Sequence, residues 1–388
     1  MYLVGIDIAK YNHQCSIATG AGEVINEFSF DNNLSGFNEL LNALKSLDKA
    51  KKIKIGLEAT GHYANTLKQF LSIKGYTFIE FNPYLAKQFF KSTTIRKTKT
   101  DKIDARLLSS MLASVDYKAL HTKSYHINEL KALTRARDSL ITDRSNYLVQ
   151  ITNALDNVFP EFKSFFSNRL GQTPLYILNR YDSLEKISKI TRKQYDKLHN
   201  LSRGRFTYNR LLQLKQLAKD SIGIKSKSYF SLIKRYISLI NNLNKELDLI
   251  ENDIYSIMSM VDTKLTTIPG VSLMSAAIII GEIGDINRFS NSAKLTAYAG
   301  FDIAIYQSGE QEFYGRLVKR GSPLLRKTIW NLVFGAIRLI PQITDYYYKK
   351  RSEGKHHKIA YSAICRKLIR LIYFIESTNT TFDIKQYR

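Results

Sequence analysis

Apolar and polar positions alternate with a period of two over Tyr2–Asp7, Gln14–Thr19 and Val24–Phe30, three short runs separated by Gly, Asn and Asp turn signals. Leu34 to Leu47 changes to helical spacing, and Lys52–Glu58 returns to strand alternation. A helix over Tyr63–Ile73 and a strand at Tyr76–Phe81 follow, ending at Asn82-Pro83. The order of three strands, helix, strand, helix, strand predicts an α/β layer. From about residue 126 the pattern becomes helical: Ile127 to Val158 lacks Gly and Pro, and Pro160 closes the run. The stretch 160–227 is less regular. Then Ile233, Tyr236, Ile240, Leu243, Leu247, Ile250, Ile254 and Ile257 form an unbroken 3-4 seam flanked by polar residues. That seam suits either a hairpin with the 127–158 helix or a dimerising coiled coil. Residues 261–388 read as helical with short loops. The expected organisation is therefore α/β plus all-α: 1–155 an α/β domain with a trailing helix, 156–260 a basic insertion and coiled-coil helix, and 261–388 a helical C-terminal domain.

Composition adds the partner. The 388 residues carry 58 Lys+Arg against 34 Asp+Glu, a net charge of +24. Such an excess speaks for polyanions, with nucleic acid first and an anionic membrane surface second. No run approaches the ~20 apolar residues needed to span a bilayer; the longest, Ala276 to Ile280, is core-sized. The start, Met1-Tyr2-Leu3-Val4-Gly5-Ile6-Asp7, has no basic leader and reads as folded structure. Cys15 and Cys365 are too far apart in sequence for a disulfide or zinc framework, so a cytoplasmic protein without membrane partners is expected. Between Lys186 and Arg235 there are 14 Lys/Arg and two acids, half of the net charge in about an eighth of the chain.

Candidate chemistry concentrates at a few points. Asp7 and Glu58 each end a strand, and emerge at one sheet edge if those strands are neighbours. Asp101 and Asp104 open an apparent helix at i and i+3, on one face. Four convergent carboxylates suit Mg²⁺ or Mn²⁺, and a pair of such ions serves phosphoryl transfer. The run with Arg96, Lys97 and Lys99 immediately precedes the acidic pair, either to meet a phosphate backbone or to balance those acids. Thr267 to Gly284 reads as helix, Gly270 turn, apolar helix, a helix-hairpin-helix-like segment that presents amides to phosphate. Ser308, beside Gly309, has Arg316, Lys319 and Arg320 within 12 residues; chemistry alone leaves it a turn residue or a nucleophile. Lys355 lies in a basic tail interleaved with tyrosines, and His356-His357 has no further zinc ligand at usable spacing. Arg203 and Arg205 belong to the basic stretch.

The strand order resembles a ribonuclease H/RuvC-type layer. Four blocks carry a more specific resemblance: Gly5-Ile6-Asp7-Ile8-Ala9-Lys10; Leu57-Glu58-Ala59-Thr60-Gly61-His62-Tyr63; Lys99-Thr100-Asp101-Lys102-Ile103-Asp104-Ala105-Arg106; and a last block from Ile268-Pro269-Gly270-Val271 through Gly281–Asp285, Ala297–Gly300 and Gln307-Ser308-Gly309 to Lys319–Arg326. In order and spacing they resemble the DEDD-type insertion-sequence transposases (the IS one-ten family), over about 1–155 and 228–388. The resemblance implies a RuvC-like N-terminal domain with Asp7, Glu58, Asp101 and Asp104 as ligands of Mg²⁺ (or Mn²⁺). It also implies a C-terminal transposase domain whose Ser308 becomes joined to a DNA phosphate. Donor and target DNA, a structured guide RNA, and a homo-oligomer are the implied partners. That oligomer is a dimer, or a tetramer formed on nucleic acid, with an active site shared between protomers. Arg96, Lys97, Lys99, Arg203, Arg205, Gly270, Arg316, Lys319, Arg320 and Lys355 are the expected nucleic-acid contacts. Phe301-Asp302-Ile303-Ala304 stands where the family shows a Leu-x-Pro turn, so the approach to Ser308 is expected to differ. The alternative is a metal-dependent, structure-selective nuclease of RuvC-like type in which water attacks and Ser308 is incidental. A nucleic-acid-binding protein without catalysis is the third reading.

Overall fold

The computed structural model describes residues 1–48, 52–58, 63–81, 83–93, 100–114, 125–168, 170–308 and 311–384; for 83–85, 88, 91, 114, 125–126, 304–308, 311–314 and 316 it describes the backbone alone. The chain divides into two compact units, Met1–Tyr125 with Asp285–Ser290, and His126–Gly284 with Asn291–Arg388.

The first unit is a mixed α/β sheet. Its elements are β1 (Tyr2–Asp7), β2 (Asn12–Thr19), β3 (Val24–Asp31), α1 (Leu34–Lys45), β4 (Ile53–Glu58), α2 (Asn65–Ile73), β5 (Phe78–Phe81), α3 (Pro83–Thr93) and α4 (Asp101–Ser114). The strands lie in the order β3-β2-β1-β4-β5. β1, β2 and β3 pair antiparallel, as short turns permit, whereas β1–β4 and β4–β5 are parallel and are joined through helices. β1 is central and is covered on both faces. Val4 and Ile6 join Ile55, Leu57 and the apolar sides of α1 and α2 in one cluster. Leu3 joins Leu108, Met111 and Leu112 of α4 in the other. Gly5 is what lets α4 lie so close: a Cβ there would collide with the Ala105 carbonyl and the Ser109 amide. Arg106 adds a fork of hydrogen bonds to Glu27 of β3, which holds that carboxyl below its usual range.

The second unit is mostly helical. α5 (Tyr125–Val158) and α11 (Lys227–Met258) are its long elements; between them lie α6 (Phe162–Phe165), α7 (Gln172–Arg180), α8 (Leu184–Ser188), α9 (Arg192–Leu201) and α10 (Tyr208–Asp220). Tyr147 meets the Tyr236 ring at 5.8 Å, Arg144 donates to Asn244 at 3.0 Å, and Arg137 donates to Glu251 at 2.7 Å. Partners rise along α11 as they fall along α5, so the two helices are antiparallel. Of the α11 seam, Ile233, Ile240, Leu247, Ile254 and Ile257 are buried within this one chain and Tyr236, Leu243 and Ile250 are half-buried, and the contacts with α5 make the two helices a hairpin. The stretch expected to be less regular is a folded helical module. Phe159, Phe162, Ile177, Leu198, Phe206 and Leu214 share one core with Ile151 and Leu155 of α5 and Ile233 and Ile237 of α11. Its helices run from 4 to 13 residues, too short to show a period amid so many charges. Ser183, Thr191 and Thr207 mark three of their starts by N-capping.

The chain continues with α12 (Leu273–Ile283), α13 (Ser292–Ala299), β6 (Ile303–Ser308), β7 (Gln311–Leu317), α14 (Pro323–Leu339), α15 (Pro341–Ser352) and α16 (His357–Thr378). Two features differ from expectation. The helix foreseen ahead of Gly270 is a single 3-10 turn, Leu265–Thr267, which gives way to extended backbone at Ile268, just before Pro269. And residues 303–317 form an antiparallel hairpin inside a region that had read as helical. Among the described residues no helix is long and apolar enough to cross a membrane. Cys15 and Cys365 are free and buried, and burial pushes the Cys365 thiol up to about 12.

Candidate active site

Asp7 and Glu58 end adjacent parallel strands: the β1–β4 register runs to Ile6 opposite Leu57, one residue before both acids. Strand alternation decides the face. Leu3 and Gly5 face α4 and so does Gly56, where a Cβ would meet Phe81 and Leu112. Asp7 and Glu58, each two residues beyond a glycine, fall on that same α4 face. Both are half-buried. Helix α4 starts with Thr100 as its cap, the Thr100 hydroxyl accepting from the Ile103 amide at 3.3 Å. Acids in its first turn also complement the helix dipole. Ala105 and Ser109 lie over Gly5, and Leu108, Met111 and Leu112 share a cluster with Leu3. The helix therefore runs against β1, and its first turn lies toward the strand end occupied by Asp7. Asp104 is 6% exposed, while Asp101 is open to solvent.

All four carboxylates thus belong to one end and one face of the sheet. Their all-oxygen chemistry fits a hard divalent cation. Among the described residues, however, no three His, Cys, Asp or Glu side chains gather into a metal-binding group. The donors share an edge without closing into a ligand shell. Arg96, Lys97 and Lys99, expected beside them, lie outside the described residues.

Ser308 is the last residue of β6 and pairs with Gln311 of β7, so its backbone belongs to a strand end rather than to a free turn. Its side chain and those of Gly309's neighbours on the hairpin, Arg316 included, lie outside the description. Where the family's Leu-x-Pro turn was missed, Phe301 is buried at 1% exposure and Asp302 starts the hairpin, its carbonyl accepting from Val318. Lys319 and Arg320 follow β7 and are exposed, as are Lys355 between α15 and α16 and Arg203 and Arg205 between α9 and α10. Gly270 has φ +89° and stands against Gly335 of α14, so this turn serves a close backbone approach.

One residue that the sequence did not single out organises the ground beneath the hairpin. Glu282, at 0% exposure, takes Arg135 on both oxygens, at 2.6 and 3.0 Å, and the Ser322 hydroxyl at 2.8 Å. Ser322 in turn caps α14 through the Leu325 amide, and Tyr298 of α13 donates to the Glu282 carbonyl. Burial pushes the Glu282 carboxyl up, but the Arg135 and Ser322 hydrogen bonds and the nearby Lys131 and Arg135 charges outweigh it and hold the group below the usual range. Arg135 and Glu282 are 147 positions apart, and only the fold reveals the pair.

A transposase family model of the DEDD, IS110 type matches residues 4–160, and a second, described as transposase of the IS116/IS110/IS902 family, matches residues 262–348. Relatives run through nearly the whole chain at low identity. The pilin gene-inverting protein of Moraxella bovis is 24% identical, over 98% of this chain and 97% of its own. The transposase for insertion sequence element IS1111A of Coxiella burnetii is 20% identical, over 90% and 80%. An insertion element IS110 protein of Streptomyces coelicolor is 20% identical, over 79% and 77%. Two matched units that both describe transposases define the class: a DNA transposase or recombinase, an enzyme acting on DNA. Within that class the chain belongs to the IS110 family of insertion-sequence transposases.

Proposed function

We propose that this transposase cuts and rejoins DNA through a covalent serine–phosphate intermediate, with Mg²⁺ or Mn²⁺ held by Asp7, Glu58, Asp101 and Asp104. The observation that carries the reading is the edge of the first unit. Parallel strands end side by side in Asp7 and Glu58, on the sheet face covered by the helix that opens with Asp101 and Asp104. The order β3-β2-β1-β4-β5, antiparallel on one side and parallel on the other, supports a RuvC/ribonuclease H-like layer. A cation bound there supplies Lewis-acid stabilisation of charge on a phosphate oxygen. Ser308 Oγ attacks phosphorus, forming an O–P bond as the bond to a deoxyribose oxygen breaks; the serine proton leaves to solvent or to a base, and the departing oxygen takes up one. Attack by a hydroxyl end of another strand reverses the exchange, so the phosphodiester count is conserved. Arg316, Lys319 and Arg320, toward the other end of the hairpin, hold backbone phosphates of the strand that Ser308 attacks, and Arg96, Lys97 and Lys99 do so beside the acids. A structured RNA selects the sites by pairing, with its backbone on the exposed basic surface that includes Arg203 and Arg205. The working form is a homo-oligomer.

Recombination between plasmids carrying the element's ends and a target tests this reading. Ser308→Ala should abolish strand joining with the fold retained. Undiminished joining by that variant would overturn the serine mechanism, and free cleaved ends without joining would return the nuclease reading, in which water attacks.

A further inference from the structure

A cavity of about 400 Å³ opens in the second unit where the β6–β7 hairpin meets the N-terminal halves of α14 and α16. Four of its lining side chains are cations, Lys319, Arg326, Lys327 and Lys358, and among the described residues none is acidic. Lys327 is engaged by Asp138 of α5. Arg326 is held in an unusual place: Gly300, at φ +76°, has no Cβ, and the guanidinium occupies the space a Cβ would need. Its Nη1 is buried and, among the described residues, has no hydrogen-bond acceptor. A guanidinium with a donor left in this way is costly to desolvate, and an anion accepting from its other nitrogens in the cavity offsets that cost. One turn along the same face of α14 stands Trp330, half-buried, also lining the cavity and packed at 4.8 Å on Tyr361 of α16.

Cations and an indole sharing one concavity match the two ends of a nucleotide, phosphate by charge and base by stacking. An inorganic anion has no use for the aromatic wall, and an apolar ligand has none for the cations. A paired base cannot enter, whereas an unstacked one fits a volume typical of small-ligand sites. We propose that this cavity seats an unstacked nucleotide of a DNA strand, its phosphate on Lys319, Arg326 and Lys358 and its base against Trp330. The choice of DNA rests on the proposed role of Ser308. The hairpin pairs Ile303 with Leu317 at the cavity end and Ser308 with Gln311 at the other. By strand rise the two ends are roughly 17 Å apart, so the seated nucleotide lies a few positions from the phosphate that Ser308 attacks.

Trp330 is the chain's one tryptophan, so its emission reports on this cavity directly. The full-length protein is titrated with an oligomer of four thymidylates, with an abasic tetramer carrying the same phosphates, and with four uridylates as RNA. The thymidylate oligomer should quench the emission saturably, and the abasic one should bind roughly tenfold more weakly. Lys319→Gln and Lys358→Gln alter exposed lysines, so the fold is retained; each should weaken quenching and lower the salt slope by about 0.7. Ser308→Ala should leave the titration intact while abolishing recombination, which separates failure of the serine chemistry from failure of this site. The proposal is overturned by a labelled thymidylate oligomer that binds, by anisotropy, without changing the emission. Quenching indifferent to both lysine variants, or stronger with the uridylate oligomer, overturns it as well.

Discussion

Glu282 and the pair Asp7 and Glu58 are all acids set in place by backbone geometry, yet the two regions treat charge in opposite ways. Glu282 is sealed from water and surrounded by donors: Arg135 on both oxygens, Ser322 on one, Lys131 nearby. Asp7 and Glu58 stand half-buried at strand ends, on the face where two more acids open α4. An acid with its counter-ion built in acts as architecture, joining α5, α12 and the cap of α14. Acids gathered along one edge instead offer an all-oxygen set that suits a hard divalent cation. Burial alone therefore does not mark a candidate functional acid, since the most buried of these acids, Glu282, is the one with its partners built in.

The largest effect should separate the two roles. Asp7→Asn and Glu58→Gln should each lower recombination about a thousandfold, a loss of several kcal/mol of charge stabilisation, while leaving the denaturation midpoint almost unmoved. A large drop in stability with modest loss of activity would make those residues architectural like Glu282. Conversely, Glu282→Ala strands Arg135 and the Ser322 hydroxyl and should cost about 3 kcal/mol in urea denaturation. Stability within experimental error of the parent would break the contrast from the other side.

A smaller effect is expected at Gly5, the position through which α4 reaches the sheet. Gly5→Ala should cost about 2 kcal/mol and should depress recombination as well, because it lifts the first turn of α4 away from the strand ends. Comparing its activity loss with that of Gly22→Ala, a glycine whose Cβ would meet nothing within 4 Å although its φ is +91°, distinguishes displacement of α4 from a general loss of stability.

The smallest effect is in pH. His13 of β2 is fully buried between Phe30 and Phe37, and burial lowers its pKa, opposed in part by Asn32. It is neutral in the fold, so its contribution is whole above the unfolded value of about 6.5 and fades as pH falls through the lowered folded value. Glu282 is also depressed; its contribution is whole above the unfolded carboxylate value and fades only in more acidic solution. Hydrogen-exchange protection should accordingly weaken in β1 and β2 at higher pH than in α12. Simultaneous weakening, or a profile that His13→Phe leaves unchanged, would contradict this order.

Much of the first unit could be read from pattern because its strands are central and buried. Tyr2–Asp7 is found with the expected bounds, and the 127–158 helix lengthens only to Tyr125–Val158. The candidate acids could be placed because alternation and helical spacing aim them. Helices α6–α10 were not legible, since each buries only a few apolar residues amid lysines and arginines and relies on the shared core for its stability. The β6–β7 hairpin was missed because Ile303–Leu317 mixes strand-forming residues with Gln, Ser and Glu at no clear period. Glu282 and Arg326 depend on partners distant in sequence, Arg135 in one case and the open backbone at Gly300 in the other.

The central claim is that Ser308 makes the bond to DNA. The direct measurement is mass spectrometry of peptides from the protein trapped on a donor end under denaturing conditions. Ser308 is predicted to carry the nucleotide remnant, and Ser308→Ala to yield no adduct at any residue. Cleaved ends without an adduct, or a remnant mapped to a different side chain, would contradict it.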